Sequence, residues 1–450
     1  MFREFDYDNK PVVEIVNEII EDSIKKGASD IHFDPEEKGI NVRIRIDGEL
    51  HDYCKIPESV KKNLTTRVKI ISGMNITESR LPQDGAIKHL DDGKQLDLRV
   101  SSLPTIHGEK IVIRILDYSM SLAGLETLGF TDENYEKVKT ALTAPNGIIL
   151  VTGATGSGKS TTVYSMLQLL NTPQTNIITV EDPVEMKMKG LNQVQVMSEI
   201  GLDFNTTLRS ILRQDPNVIM IGEIRDDETA RIAVRASITG HLVLSTLHTN
   251  NSLNTIERLT DMDVERYLLG SSLEGIISQR LARKLCPNCM IKRQTTEYEK
   301  QVFKTVIGKD INEMYVANKE GCPRCNHGYR GRLAILEVLI MNEKIKDAIT
   351  NNAPKHVLRD LVYTGEVVTL LQDGLNKVVE GETSFEEILK IVDLENDMTA
   401  YKDDNLVANL KMAQKAHSIK ETPQQPAPQV TQQVQQINNQ IPNNVETVEF

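Results

Sequence analysis

The stretch Val151-Thr152-Gly153-Ala154-Thr155-Gly156-Ser157-Gly158-Lys159-Ser160-Thr161 constrains this chain more than any other. Apolar Ile148-Ile149-Leu150-Val151 predicts a buried strand, and Thr161 to Leu170 carries a helical pattern. A glycine-rich turn thus joins strand to helix, and from Gly153 to Ser160 it matches G-x-x-x-x-G-K-[ST]. The chemistry needs these residue types. Gly153, Gly156 and Gly158 let backbone N–H groups approach a polyphosphate, and the helix N-terminus adds positive potential. Lys159 can reach the β- and γ-phosphates, and the Ser160 hydroxyl can ligate Mg²⁺. An accidental turn of this composition would not call for a strand before it and a helix after it. Gly153 to Thr161, with Ala154, Thr155 and Ser157 between the named residues, is therefore read as an ATP-binding loop.

A chain of 450 residues, 39% of them hydrophobic, predicts roughly two to four domains with substantial cores. The net charge of −12 argues against a broad nucleic-acid-binding surface. No apolar run reaches the length of a membrane span, and Met1-Phe2-Arg3-Glu4-Phe5-Asp6 is no signal peptide. A cytoplasmic location is expected, with cysteines reduced or metal-bound.

Residues 1–118 read as a small α+β domain. Val12, Ile15, Val16, Ile19, Ile20 and Ile24 have helical spacing. Val42 to Ile46 alternates, turns at Asp47-Gly48 and returns through Leu50 as a hairpin. Two further alternating strands, 96–100 and 111–115, place Arg99 and Arg114 opposite their apolar residues. Spacing alone makes these arginines a solvated sheet face. A linker over 119–146, with Leu125, Leu128 and Phe130, precedes an ATPase domain over 147–395. Its short apolar strands 177–180, 218–221 and 242–244 predict a parallel α/β sheet. Each ends in groups of chemical interest: Glu181-Asp182-Pro183-Val184-Glu185, Gly222-Glu223, and Ser245-Thr246-Leu247-His248. Ligands sit at the carboxyl ends of such strands, so these groups should share one crevice with the loop. Glu223 ends a Walker B-like strand and would hold Mg²⁺ through water, leaving Glu185 to polarise the attacking water. Taken singly, such acids could be helix caps or ion-pair partners.

Cys286-Pro-Asn-Cys289 and Cys322-Pro-Arg-Cys325 supply paired knuckles for a structural Zn²⁺ within a metal-binding region over 280–332. The gap of 32 residues between the pairs predicts an inserted hairpin or helix. A redox pair would not call for two copies, and lone Cys54 reads as a packed small residue. Ile345 to Leu394 looks helical, with Thr383-Ser384-Phe385-Glu386 as a capping box before the last helix. Residues 396–450 form an extension. Sixteen of the last thirty residues are Gln, Asn or Pro, so a disordered tail is expected from about Glu421.

These motifs together resemble the type II secretion and type IV pilus assembly ATPases of the PilB/GspE type. The resemblance runs from about residue 10 to 395. It is carried by Ala28-Ser29-Asp30-Ile31-His32, Arg80-Leu81-Pro82-Gln83-Asp84-Gly85, Asp97-Leu98-Arg99-Val100-Ser101, the Glu181–Glu185 and Gly222–Asp226 boxes, Thr239-Gly240-His241 through His248-Thr249-Asn250, and Gly321-Cys322 to Gly331-Arg332. It implies a RecA-like fold with a Cys₄ insertion and a PAS-like first domain. It also implies a homo-hexameric motor that drives a membrane-embedded platform protein during filament extension or secretion. Glu185 becomes the catalytic glutamate, Glu223 the Mg²⁺-associated one, and His241 and His248 line the site. Arg99 and Arg114 become arginines swung onto the phosphates, against the reading from spacing. Asp215-Pro216-Asn217 and Asn250-Asn251-Ser252 depart from the family's usual Asp-Pro-Asp and Asn-Asp-Ala. The family's extra N-terminal domain is not expected here. Retraction ATPases resemble the core but lack the two C-x₂-C pairs, which favours extension or secretion. A nucleic-acid translocase on the same core is the main alternative. Few aromatics, and no tryptophan, leave little for base stacking. A scaffold without turnover is the third, opposed by intact Lys159, Glu185 and Glu223.

Overall fold

The computed structural model describes residues 3–7, 9–91, 94–116, 124–363 and 367–392. The expected 396–450 extension and its tail lie outside these residues, as does the first part of the expected linker.

Helix α1 (Val12–Lys25) turns Ile15, Val16, Ile19 and Ile20 inward, as their three- and four-residue spacing dictates. Strands β1 (Ala28–Glu36), β2 (Gly39–Ile46), β3 (Glu49–Ile56), β4 (Gln83–Asp91), β5 (Lys94–Thr105) and β6 (Gly108–Leu116) form an antiparallel sheet in the order β3-β2-β1-β6-β5-β4. Its apolar face packs with α1 and with α2 (Glu58–Ile71) in one core. At the β2–β3 turn Asp47 and Gly48 both take positive φ, 50° and 92°, as a two-residue type I′ turn requires. Leu98, Val100, Ile113 and Ile115 are buried, and Arg99 stands in register with Arg114 across β5 and β6 on the other face. Cys54 is fully buried, and burial pushes its thiol up to about 12.

The second sheet begins after helix α3 (Asp132–Leu142), which lies within the expected linker and packs with Leu125 against one face of that sheet. Its elements run β7 (Gly147–Thr152), α4 (Lys159–Leu170), β8 (Ile177–Glu181), β9 (Asn192–Gln195), α5 (Phe204–Ile211), β10 (Val218–Ile221), α6 (Asp227–Ile238), β11 (Leu242–Leu247), α7 (Ser252–Asp261), α8 (Arg266–Ser272) and β12 (Leu273–Leu285). After the insertion come β15 (Tyr329–Ile340), α10 (Glu343–Thr350), α11 (Lys355–Tyr363), α12 (Leu370–Val379) and α13 (Phe385–Ile391). The insertion itself holds β13 (Ile291–Gln294), α9 (Glu297–Ile307) and β14 (Glu313–Val316), so both a strand pair and a helix fill the gap between the cysteine pairs. The order β15-β12-β7-β11-β10-β8-β9 is parallel except between β12 and β15, and apolar cores cover both faces. This is the expected RecA-like α/β sheet.

One cap differs from expectation by a residue. Ser384, not Thr383, accepts from the third backbone N–H of α13, that of Glu387. The Glu387 carboxylate does not turn back to the cap. It binds Arg283 of β12 at 2.6 Å, while the Thr383 hydroxyl donates to the Arg283 carbonyl. A charged partner outcompetes the local reciprocal bond. Full capping boxes occur instead at Thr296/Glu299 and Thr369/Gln372.

Candidate functional site

Strand β7 delivers the glycine-rich loop to the carboxyl edge of the sheet. Gly153, Gly156 and Gly158 take φ of 147°, 79° and 88°. A Cβ on Gly153 would stand 2.3 Å from the Gln279 carbonyl oxygen, so only glycine fits there. Parallel pairing of β7, β11, β10 and β8 brings their polar ends to one cleft of about 420 Å³. Thr155 to Thr161, Asp182, Glu185, Glu223, Thr246 and His248 line it, and Leu281 and Arg332 add to the lining. A larger groove of about 840 Å³, between α3 and the outer end of β15, gathers no comparable set of functional groups.

Lys159 donates to the carbonyls of Gly153 (2.9 Å) and Ala154 (3.1 Å), which holds its ammonium at the mouth of the loop. Burial lowers its pKa, and nearby Glu223 opposes that shift. Glu223 receives a hydrogen bond from Arg225 at 2.5 Å, and His248 Nε2 stands 3.5 Å away. The Arg225 bond holds the Glu223 carboxyl below the usual carboxylate range despite partial burial. Glu185 is half-exposed and pairs with Arg99 of the first sheet at 3.0 Å, while Arg99 also donates to the Val184 carbonyl at 3.2 Å. The first sheet thus touches the cleft through one guanidinium. Glu181 is buried by Tyr164, by Thr179 (2.6 Å) and by Gln193 (3.2 Å), so its oxygens are committed to structure.

Two expected site residues are not brought to this cleft. Arg114 is exposed and paired with Asp30 of β1 at 3.1 Å. His241 precedes β11, at the sheet edge opposite the loop, where its Nδ1 lies 2.9 Å from the Ala236 carbonyl. Spacing could not separate Arg99 from Arg114, because neighbours in register on one face read alike. Strand β12, by contrast, contributes contacts that sequence reasoning missed. Ser278, Gln279 and Arg280 are consecutive, polar and at least nine-tenths buried, and each bonds a different part of the cleft's frame.

The four knuckle cysteines converge. Cys286 and Cys322 sulfurs stand 3.8 Å apart, those of Cys289 and Cys325 3.6 Å, and all four lie within 4.8 Å of one another. Thiolates 2.3 Å from one tetrahedral ion lie about 3.8 Å from each other, so the set fits a single metal. The β2–β3 turn of the first sheet rests on this module. Asp47 accepts from Gly331 N–H (2.9 Å), His51 meets Asn326 (2.7 Å), and Glu49 pairs with Arg283 (2.7 Å).

A model of the type II/IV secretion system protein family matches residues 6–390. The chain is 46% identical over 384 residues to the type IV pilus assembly ATPase PilB of Myxococcus xanthus, covering 85% of this chain and 68% of that one. It is 43% identical over 385 residues to the type II secretion system ATPase E of Vibrio cholerae, with 85% and 76% covered. Among solved structures, the pilus retraction motor PilT with bound ADP is similar at a TM-score of 0.54 and 28% identity, over 86% of this chain and 97% of that one. The Legionella pneumophila ATPase DotB shares the fold at a TM-score of 0.62 and 21% identity, over 85% and 96%. Among the described residues no helix is long and apolar enough to cross a membrane. The chain is an ATPase and belongs to the type II/IV secretion system protein family.

Proposed function

We propose that this protein is the motor that hydrolyses ATP to extend a type IV pilus, or a secretion or competence pseudopilus, through a membrane platform protein. The observation that carries this reading is the pairing of an intact nucleotide cleft with a closed Cys₄ module in one family member. The relatives named for assembly and secretion support extension over retraction. In the cleft, Lys159 and the loop N–H groups hold the β- and γ-phosphates. Glu185 takes a proton from the attacking water, and Arg99 releases Glu185 to face the phosphate charge. Ser160 and Glu223 would hold Mg²⁺, which neutralises phosphate charge when bound; Glu223, held ionised by Arg225, suits that task. Cys286, Cys289, Cys322 and Cys325 would hold Zn²⁺ as a structural ion. A homo-hexamer working at the cytoplasmic face of the membrane completes the reading. It is supported by the exposed apolar side chains Leu81, Leu103 and Ile106 on the first domain, which a single chain leaves uncovered.

Glu185→Gln tests the assignment. It should retain nucleotide affinity, lose turnover by about 10²–10⁴-fold, and abolish filament formation or secretion in the producing cell. Normal hydrolysis in Glu185→Gln, with loss in Glu223→Gln, would overturn the roles assigned to these two acids. Unchanged filaments and secretion in a hydrolysis-dead strain would overturn the motor reading.

A further inference from the structure

Strand β12 touches the nucleotide loop without belonging to any motif of the site, and its three buried polar residues divide the contact between them. Side chains alternate along a strand, so Ser278 and Arg280 share one face and Gln279 takes the other. Ser278 lies 3.1 Å from the Thr152 hydroxyl, at the last residue before the loop, and Arg280 donates to the Asn250 carbonyl at 3.3 Å, two residues past His248. Gln279 faces the loop itself. Its Nε2 donates to the Ser157 carbonyl at 2.8 Å, and its Oε1 accepts from the Thr162 hydroxyl in the first turn of α4 at 2.7 Å. The two bonds span the residues that present Lys159 and Ser160. Two loop glycines are shaped around the same residue. A Cβ on Gly153 would meet the Gln279 carbonyl oxygen at 2.3 Å, and one on Gly158 would meet its Nε2 at 2.7 Å.

We infer that Gln279 is a positioning residue for ATP hydrolysis, one that fixes the curvature of the loop so that its N–H groups and Lys159 converge on the phosphates. The loop backbone between Gly153 and Gly158 has three positive-φ glycines and therefore little stiffness of its own. An amide is the side chain that fits, because the position needs one donor for a carbonyl and one acceptor for a hydroxyl. A buried, doubly bonded side chain of this kind costs binding when removed, since ordering the loop then falls to the nucleotide. The inference rests on the loop being the nucleotide site.

The test is steady-state ATP hydrolysis and MgADP binding by the full-length, metal-loaded protein carrying Gln279→Leu, Gln279→Glu or Thr162→Val. Gln279→Leu should raise KM and the MgADP Kd by about tenfold or more, from two lost bonds, with a smaller change in kcat. Gln279→Glu keeps the acceptor for Thr162 but sets a carboxylate against the Ser157 carbonyl, so it should not rescue. Thr162→Val removes the bond to Gln279, together with the longer 3.4 Å contact to the Gly158 carbonyl, and should shift KM by roughly a third of that on a logarithmic scale or more. KM and Kd unchanged in all three variants, whether or not melting temperature falls, would assign Gln279 to packing alone and overturn the inference. Lys159→Ala separates the two readings: if it too leaves MgADP binding intact, the nucleotide site itself is misplaced. If Gln279→Leu does not fold, Gln279→Glu and Thr162→Val decide.

Discussion

The proposed nucleotide cleft and the Cys₄ cluster adjoin the same strand, β12, and are built in opposite ways. The cleft is open and gathers its groups from the ends of strands far apart in sequence. Glu185 is half-exposed, Glu223 is partly buried, and Lys159 rests on loop carbonyls. The module is closed, drawing four sulfurs from two local turns to within 4.8 Å of one another. An open set with an exchangeable cation partner suits chemistry, where groups must meet a substrate and change partners. A closed tetrahedral set suits a metal that only holds structure. The first sheet touches both, with Arg99 on Glu185 and the Asp47–His51 turn on the module. The cleft and the cysteine cluster are thus bridged by one sheet.

Three measurements would break or sharpen this contrast. The largest effect is expected at Arg99. Arg99→Ala should lower kcat by about 10–100-fold with little loss of folding, as a removed transition-state cation does. Arg114→Ala should cost less in the isolated chain, because Arg114 is held by Asp30. Equal losses from both would mean that a ring-borne or closed state brings Arg114 to the phosphates as well; no loss from either would return them to a solvated face. The module should respond differently. Cys286→Ser or Cys325→Ser should abolish metal retention and lower the melting temperature by roughly 5 °C or more, while MgADP affinity stays near that of the parent. Metal analysis of the purified parent should give about one zinc per chain. Full thermal stability in the metal-free protein would remove the distinction between a chemical region and a structural one.

The smallest effect concerns pH. Arg225 lowers the folded-state pKa of Glu223, so the unfolded chain binds its proton first as pH falls. The stability this contributes is complete above the ordinary glutamate value of about 4.3 and is lost as pH drops through the lower folded-state value. The melting-temperature gap between parent and Arg225→Ala should therefore be widest near neutrality and narrow below about pH 4.3. A gap independent of pH would show that Arg225 acts by packing and not through charge.

What sequence determined was whatever local chemistry demands. A phosphate loop requires glycines at fixed places, a basic residue and a hydroxyl. Buried parallel strands require short apolar runs, and a tetrahedral sulfur site requires two close cysteine pairs. The loop and each strand are readable within a dozen residues, and the sulfur site only from two pairs with 32 residues between them. Tertiary structure alone decided three further matters. Arg99 reaches Glu185 and Arg114 does not, although they are partners in register and alike in pattern. His241 falls at the far edge of the sheet from the loop, because its strand runs toward the cleft and it stands before the first residue. Strand β12 spaces its apolar residues Leu273, Ile276, Ile277, Leu281 and Leu285 as a helix would, yet it is extended and buried on both faces. Its polar Ser278, Gln279 and Arg280 break the strand pattern because they serve partners more than a hundred residues away, or thirty in the case of Asn250. Periodicity reports which side of an element meets water. It carries no record of buried polar partners, which exist only once the sheet has closed around them.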